Sequence, residues 1–361
     1  MRIAIDASRT TVPRVTGTEH YALQLIRSLI RLNSEHTLTL YFRDEPTNAL
    51  FASSPLVHMR VLPQRRLWTH TRFASALQRD KPDVTFVPAH ALPLVFPGRA
   101  VVTVHDLGFR RFPAAHPWYP RLYLDLSTRA SVRRADLVLV DSHATGDDLE
   151  RFYDLPRAKM RVVYPGVDPP EMGDPAAVRR KYGLPDRYFL FVGTLQPRKN
   201  IARLVQAFAL WKAAHPGDDA ALVLAGGKGW LHDEAWTAGV EGVILPGYVD
   251  EADKGALYAG ALALVFPSLY EGFGFPVLEA MHSGTAVICS GTSSLPELGG
   301  SAALYVDPLD VDSIAAAMGR LSDDEALRQS LRASGYQQAL AFTWRAAAQA
   351  TMAALEEAGQ R

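Results

Sequence analysis

Short apolar runs rich in β-branched residues recur along the whole chain, each followed by a longer segment with a helical pattern. This alternation restricts the fold more than any other feature. In the first half the runs are RIAID, TLTLYF, VTFVP, AVVTVH, DLVLVD and RVVYPG; in the second they are YFLFVG, ALVLAGG, GVILPG, LALVFP, AVICSG and ALYVDP. Strands that are apolar at successive positions are covered on both faces, which points to parallel sheets flanked by helices. The expected class is α/β, with each half a doubly wound, Rossmann-like domain. The halves also open alike. RIAIDASRTTVPRVTGTEHYALQLIRSLI and YFLFVGTLQPRKNIARLVQAFALWK both read as strand, loop and helix, about 190 residues apart. A chain of 361 residues suits two cores. The boundary is expected after VVYPGVD, in the Pro-rich PPEMGDP (169–175), giving domains of 1–170 and 171–342. FTWRAAAQATMAALEEA (342–358) reads as a helix with no strand after it, and its pattern does not say where it packs.

Composition excludes several classes. The chain is 48% apolar and 21% charged, as in soluble globular proteins. No run of eighteen apolar residues is present to span a membrane. MRIAIDASRT turns polar after one short strand, unlike a signal peptide. Cys289 is the only cysteine, so there is no internal disulfide and no cysteine zinc cage; a cytoplasmic location is the expectation. Net charge is zero, but residues 1–168 carry +7 and the remainder −7. Much of the positive excess lies in RRFPAAHPWYPRLYLDLSTRASVRR (110–134), where arginines, with Arg99 nearby, mix with Phe112, Trp118, Tyr119 and Tyr123. Nucleic-acid binding needs a more basic domain than this. Peripheral contact with an anionic membrane, on the inner face of the cell membrane, or with an acidic acceptor fits better. The competing reading is a solvated helix face over buried aromatics.

In open α/β sheets ligands bind beyond the carboxyl ends of the strands, and two such domains facing each other would put a cleft there. The residues following each strand therefore matter most. TLQPRKN follows YFLFVG and places Arg198 and Lys199 beside a helix start, which suits a phosphate. PSLYEGFGFPVLEAM follows LALVF with Gly272 and Gly274 in a loop and Pro276 at the expected first helical position. Glu279 is expected in the first turn, where a carboxylate can accept from the diol of a ribose, and Glu271 in the loop before it. The strand AVVTV ends at His105 and Asp106; His105 is a candidate donor or acid/base, and His90 in VPAHALP a weaker one. Asp310 and Asp312 form the only D-x-D, but read as the cap and first turn of a helix. GGKGW (226–230) lacks the spacing of a P-loop, and neither half has G-x-G-x-x-G after its first strand.

Taken together, HDLGFRRFP, DSHATGDDL, VVYPGVD, GTLQPRKN, GGKGWL, PGYV, FPSLYEGFGFPVLEAM and SSLPELGGSAALYVDPLD resemble the retaining GT-B glycosyltransferases of family 4, specifically the group 1 mannosyltransferases of polysaccharide synthesis. The E-x7-E pair Glu271 and Glu279, with RKN upstream, is the specific part of the likeness. The resemblance implies a GT-B fold, an N-terminal acceptor-binding domain and a C-terminal donor-binding domain. It also implies a C-terminal helix, about 343–361, that packs back on the first domain. The implied reaction moves a sugar, mannose from GDP-mannose as the leading choice with UDP- and other GDP-linked sugars as the alternatives, with retention, no metal and no cofactor beyond the nucleotide diphosphate-sugar. The implied acceptor is a glycan or a lipid-linked saccharide. By the same resemblance Glu271 would meet the transferred sugar, Glu279 the ribose, the amides of Phe273 and Gly274 with Lys199 the diphosphate, and Tyr248 and Val249 the base. Gly17 and Thr18 match the glycine loop that approaches the donor, and His105 the histidine near the reacting sugar. The chain departs from many relatives in having one glycine in RVTGTEHY and Thr194 where an arginine is common; Arg198 is the candidate replacement. A sugar-nucleotide epimerase and a catalytically silent nucleotide-sugar binder are the competing readings. A phosphorylase of this fold would need a longer chain and a lysine-held pyridoxal phosphate.

Overall fold

The computed structural model describes residues 1–12, 16–47, 50–113, 118–227, 229 and 233–361. Lys228, Trp230 and Leu231 of the GGKGWL segment lie outside the described residues. The chain forms two compact units, one of Met1–Gly166 with Phe342–Arg361 and one of Val167–Ala341.

The first unit contains seven parallel strands: β1 (Arg2–Asp6), β2 (Thr37–Phe42), β3 (Val57–Val61), β4 (Val84–Val87), β5 (Arg99–Val104), β6 (Leu137–Val140) and β7 (Met160–Val162). Their order is β3-β2-β1-β4-β5-β6-β7, so the winding reverses between β1 and β4. The helices are α1 (Gly17–Leu32), α2 (Ala74–Asp80), a short α3 (Gly108–Arg111), α4 (Trp118–Arg134) and α5 (His143–Tyr153). Strands β4 and β6 are buried at every position, as continuous apolar runs require. VHMRV is the strand that the pattern of apolar runs passed over. It pairs with β2 alone at the sheet edge, and His58, Met59 and Arg60 are exposed, so burial left no apolar signature.

The second unit has six parallel strands: β8 (Tyr188–Val192), β9 (Ala221–Ala225), β10 (Val243–Gly247), β11 (Ala263–Phe266), β12 (Val287–Ser290) and β13 (Leu304–Val306). Their order is β10-β9-β8-β11-β12-β13, which puts the reversal between β8 and β11. Among the described residues the helices that accompany them are α6 (Pro175–Tyr182), α7 (Ile201–Ala214), α8 (Lys254–Ala259), α9 (Phe275–His282), α10 (Leu295–Gly299), α11 (Val311–Asp323) and α12 (Glu325–Ala339). Asp310 caps α11, its carboxylate accepting from the amides of Asp312 and Ser313, so the D-x-D is used as a helix start.

The last helix, α13 (Trp344–Gln360), belongs to the first unit and packs on α1. Arg161 of β7 holds Glu357 through two hydrogen bonds of 3.0 and 2.6 Å, and His36 meets Glu356 at 2.9 Å. Thr343 caps the helix through the amide of Ala346. Gly166 makes the crossing possible, because a Cβ there would stand 2.1 Å from the amide nitrogen of Trp344.

Candidate active site

In the second unit the loops after β8 and β11 leave neighbouring strands at the reversal point of the sheet, the place where open α/β sheets bind ligands. Arg198 and Lys199 come from the first loop and Glu271 from the second. Lys199 Nζ lies 2.7 Å from Glu271 Oε1, and Arg198 Nη1 lies 2.9 Å from Oε2. Arg198 also donates to the carbonyl of Tyr270 at 2.5 Å, and Lys199 sits 4.8 Å from the centre of the Phe266 ring. Burial alone would push the Glu271 carboxyl up, but the charges of Arg198 and Lys199 beside it and the hydrogen bond from Lys199 bring it down to about 2. Glu271 is therefore an anion at neutral pH despite being only 6% exposed.

The backbone of this constellation is fastened from both sides. Asn200 ends the RKN turn in the left-handed region, with φ of 63°, which asparagine tolerates better than most residues. Its Nδ2 donates to the carbonyls of Pro267 at 3.0 Å and Pro308 at 2.6 Å, and the amide of Leu269 donates to Arg198 O at 2.9 Å. On the other side, Ser290 Oγ donates to Ser268 O at 2.7 Å. Ser293 Oγ accepts from the Glu271 amide at 3.0 Å, while the Ser294 hydroxyl is shared between the carbonyls of Glu271, at 3.1 Å, and Phe273. Sequence reasoning passed over these serines, the strand-end position of Ser290 being the available signal for it, and included Asn200 in the RKN motif without giving it a role.

Gly274 is the N-cap of α9, at φ of 128°, and a Cβ there would lie 2.7 Å from Leu295 Cδ2. Its helix begins at Phe275, so Pro276 takes the second helical position, not the first. Glu279 consequently stands in the second turn and not in the first turn expected of it. There its Oε2 accepts from Tyr258 OH at 2.7 Å, and Lys254 Nζ lies 3.8 Å from Oε1. Phe273 is buried, Val249 is buried beyond the end of β10, and Tyr248 beside it is 72% exposed.

His105 directly follows β5 in the first unit. Its Nδ1 meets Asp141 Oδ2 at 2.8 Å and its Nε2 faces the carbonyl of Pro88 at 3.3 Å. Burial disfavours the imidazolium, but the Asp141 carboxylate outweighs it and raises the pKa. Two acceptors facing two ring nitrogens fit the doubly protonated ring. His90 is its opposite: burial and the charge of His105 lower it to about 4. Its Nε2 accepts from the His105 amide at 3.3 Å. Asp141 was missed from sequence, although it follows β6 just as His105 follows the neighbouring β5. Gly17 and Thr18 are the first two residues of α1 rather than loop residues, because Thr16 and Glu19 close a capping box ahead of them. Among the described residues no three His, Cys, Asp or Glu side chains come together as metal ligands do.

Comparison with known proteins gives the family. A family model described as Glycosyltransferase Family 4 matches residues 15–171, and one described as Glycosyl transferases group 1 matches residues 176–338. The chain is 33% identical over 321 residues to the O-antigen chain mannosyltransferase B of Escherichia coli, covering 85% of this chain and 79% of that one. Among solved structures it is similar to sucrose-phosphate synthase from Thermosynechococcus elongatus, with a TM-score of 0.75 at 23% identity over 99% and 98% of the two chains. Anabaena HepE in complex with UDP and glucose gives 0.73 at 14% identity, over 99% and 100%. These structural likenesses show the fold, which is that of the GT-B glycosyltransferases. With the family models and the Escherichia coli relative, they establish that the chain belongs to glycosyltransferase family 4, the group 1 glycosyltransferases, and is an enzyme of that class.

Proposed function

We propose that this glycosyltransferase moves mannose from GDP-mannose to a glycan or lipid-linked saccharide in the synthesis of a cell-envelope polysaccharide, retaining the anomeric configuration and using no metal ion. The second unit takes the donor and the first the acceptor. One observation carries the reading: an ionised carboxylate, Glu271, held between Arg198 and Lys199 at the reversal point of the second sheet. The choice of mannose is supported by the name of the Escherichia coli relative.

In the reaction the bond from the anomeric carbon to the phosphate oxygen breaks, an acceptor hydroxyl oxygen bonds to that carbon, and the hydroxyl proton passes to the departing phosphate oxygen. Negative charge grows on the departing diphosphate. Lys199, Arg198 and the amides around Phe273 and Gly274 at the start of α9 are placed to stabilise it. Glu271 orients the sugar and balances positive charge as it develops on the ring, with no covalent glycosyl-carboxylate required. Glu279, one turn into α9 beside Tyr258 and Lys254, takes the ribose hydroxyls. Tyr248 and Val249 frame the base.

The test is a panel of GDP- and UDP-sugars with saccharide and lipid-linked acceptors, run with chelator and followed by nucleotide release, product mass and anomeric configuration by NMR. GDP released only when an acceptor is present, with an α-linked mannose in the product, is the expected result. Interconversion of the nucleotide sugar without acceptor would assign an epimerase instead. Silence across the whole panel would leave a binding protein.

A further inference from the structure

The outward side of α4 carries residues that water does not favour. Helical periodicity puts Trp118, Tyr119, Leu122, Tyr123 and Leu126 on one side, with Arg129, Arg133 and Arg134 further along the same side. The five apolar residues are 48–70% exposed, while Thr128, Ser131 and Val132 are the buried ones. A helix on a protein surface normally shows the reverse distribution. Beside this face lies a groove of about 400 Å³ whose lining includes Leu92, Leu94, Tyr123, Leu126, Ala130 and Arg134. Leu94 and Val95 extend the apolar surface, at 62% and 60% exposure.

Charge distinguishes this face from an ordinary apolar patch. Arg99, Arg110 and Arg111 are spent within the fold, on Asp136 at 3.1 Å, Asp125 at 3.0 Å and Asp148 respectively. The Arg110 pair, with Tyr153 donating to Asp125 at 2.7 Å, also fastens α4 to its neighbours. Arg129, Arg133 and Arg134 face no carboxylate among the described residues. The guanidinium of Arg134 reaches only the carbonyl of Pro93, at 3.0 Å, and the face of Phe96, 4.8 Å from its centre. Cationic side chains free to meet an external anion therefore adjoin exposed aromatic and aliphatic side chains.

We propose that this face docks on an anionic phospholipid bilayer. Trp118, Tyr119, Leu122 and Leu126 enter the boundary between head groups and acyl chains, where tryptophan and tyrosine are favoured. The groove receives part of one acyl chain, and Arg129, Arg133 and Arg134 meet the lipid phosphates. The proposal rests on the fold and this surface, not on the identity of the donor sugar.

The experiment uses the full chain with phosphatidylcholine vesicles prepared with and without phosphatidylglycerol. Sedimentation with the anionic vesicles at low salt and none with the neutral ones is expected. Each of Arg129→Gln and Arg133→Gln weakens binding about fivefold. The combined Trp118→Ser, Leu122→Ser and Leu126→Ser variant weakens it at least about tenfold. Lipids brominated in the acyl chain quench wild-type fluorescence, and the quenching is lost in Trp118→Phe. Thermal unfolding and the donor-induced shift in melting stay unchanged in all variants, since none touches the donor site. A wild-type chain that ignores anionic vesicles overturns the proposal, as does a triple-serine variant that binds as well as wild type. So does a dimer that the triple substitution dissolves while vesicles are ignored, because a second copy would then cover the face.

Discussion

A carboxylate buried as deeply as Glu271 stays charged only because two cations reach it, and removing its charge should separate binding from chemistry. Glu271→Gln is expected to lower kcat about a hundredfold or more while leaving donor affinity within about threefold, since the cations that meet the diphosphate remain; isothermal titration alongside initial rates decides it. The serines behind it can be tested for more than packing. Ser293 has φ of 53°, so Ser293→Gly relieves the backbone and removes only the hydroxyl that accepts from the Glu271 amide. If the hydroxyl positions the glutamate, kcat falls about tenfold with little change in KM or melting temperature; if the residue serves only the turn, the variant matches or exceeds wild type. His105 gives a pH dependence of definite sign. Its folded pKa is raised, so its stabilisation is complete below about pH 6.5 and is lost as pH rises through the folded value. The stability gap between wild type and His105→Asn in urea should therefore narrow from pH 6 to pH 9, and a gap that widens would reject the ion pair. At this scale the sequence pointed to residues in the segments beyond strand ends, and the structure brings two of them, Lys199 and Glu271, into contact. The sequence was silent on partners brought in from far along the chain: Asp141 lies 36 residues from His105, and Asp148 lies 37 from Arg111.

Among the elements, α9 depends most on one residue. Gly274 combines a φ that L side chains rarely adopt with a close approach to Leu295. Gly274→Ala should cost on the order of 1–3 kcal/mol and weaken donor binding by displacing the helix start, an effect that a melting curve and a donor titration read together. The helix also shows why boundaries are harder to read than elements. Pro276 suits the first helical position, but the cap at Gly274 starts the helix one residue earlier, which the sequence pattern does not encode. The inner strands were visible as apolar runs because both faces of the sheets are covered, and the edge strand β10 was visible through its own Val243, Ile244 and Leu245 although none of its positions is buried; β3 was not, since its exposed His58 and Arg60 break any such run. Helix α4 was visible as a basic and aromatic stretch, yet only its exposures show that the aromatic side is the outward one.

At the level of the molecule, two separate sheets imply two cores that answer differently to ligand. GDP-mannose at about a hundred times its Kd should stabilise the unit that binds it by about 2.7 kcal/mol. Hydrogen exchange should show the added protection concentrated in Val167–Ala341, and protection appearing instead in Met1–Gly166 would reverse the assignment of donor and acceptor units. The doubly wound plan and the division in two were open to sequence reasoning because they repeat along the chain. The home of α13 was not legible in the pattern of FTWRAAAQATMAALEEA itself; it was implied by the family resemblance alone, and long-range pairs such as Arg161 with Glu357 hold the helix on the first unit. That return has a consequence for the chain's birth on the ribosome. The first unit's sheet is synthesised before residue 167, yet α13, the helix that packs on β4 and β5, emerges some 175 residues later, after the whole second unit. For that interval the earlier domain waits with an uncovered apolar flank, so the later-made domain has the better prospect of finishing first, and a chaperone that shields the waiting surface would be felt most by the half translated earliest.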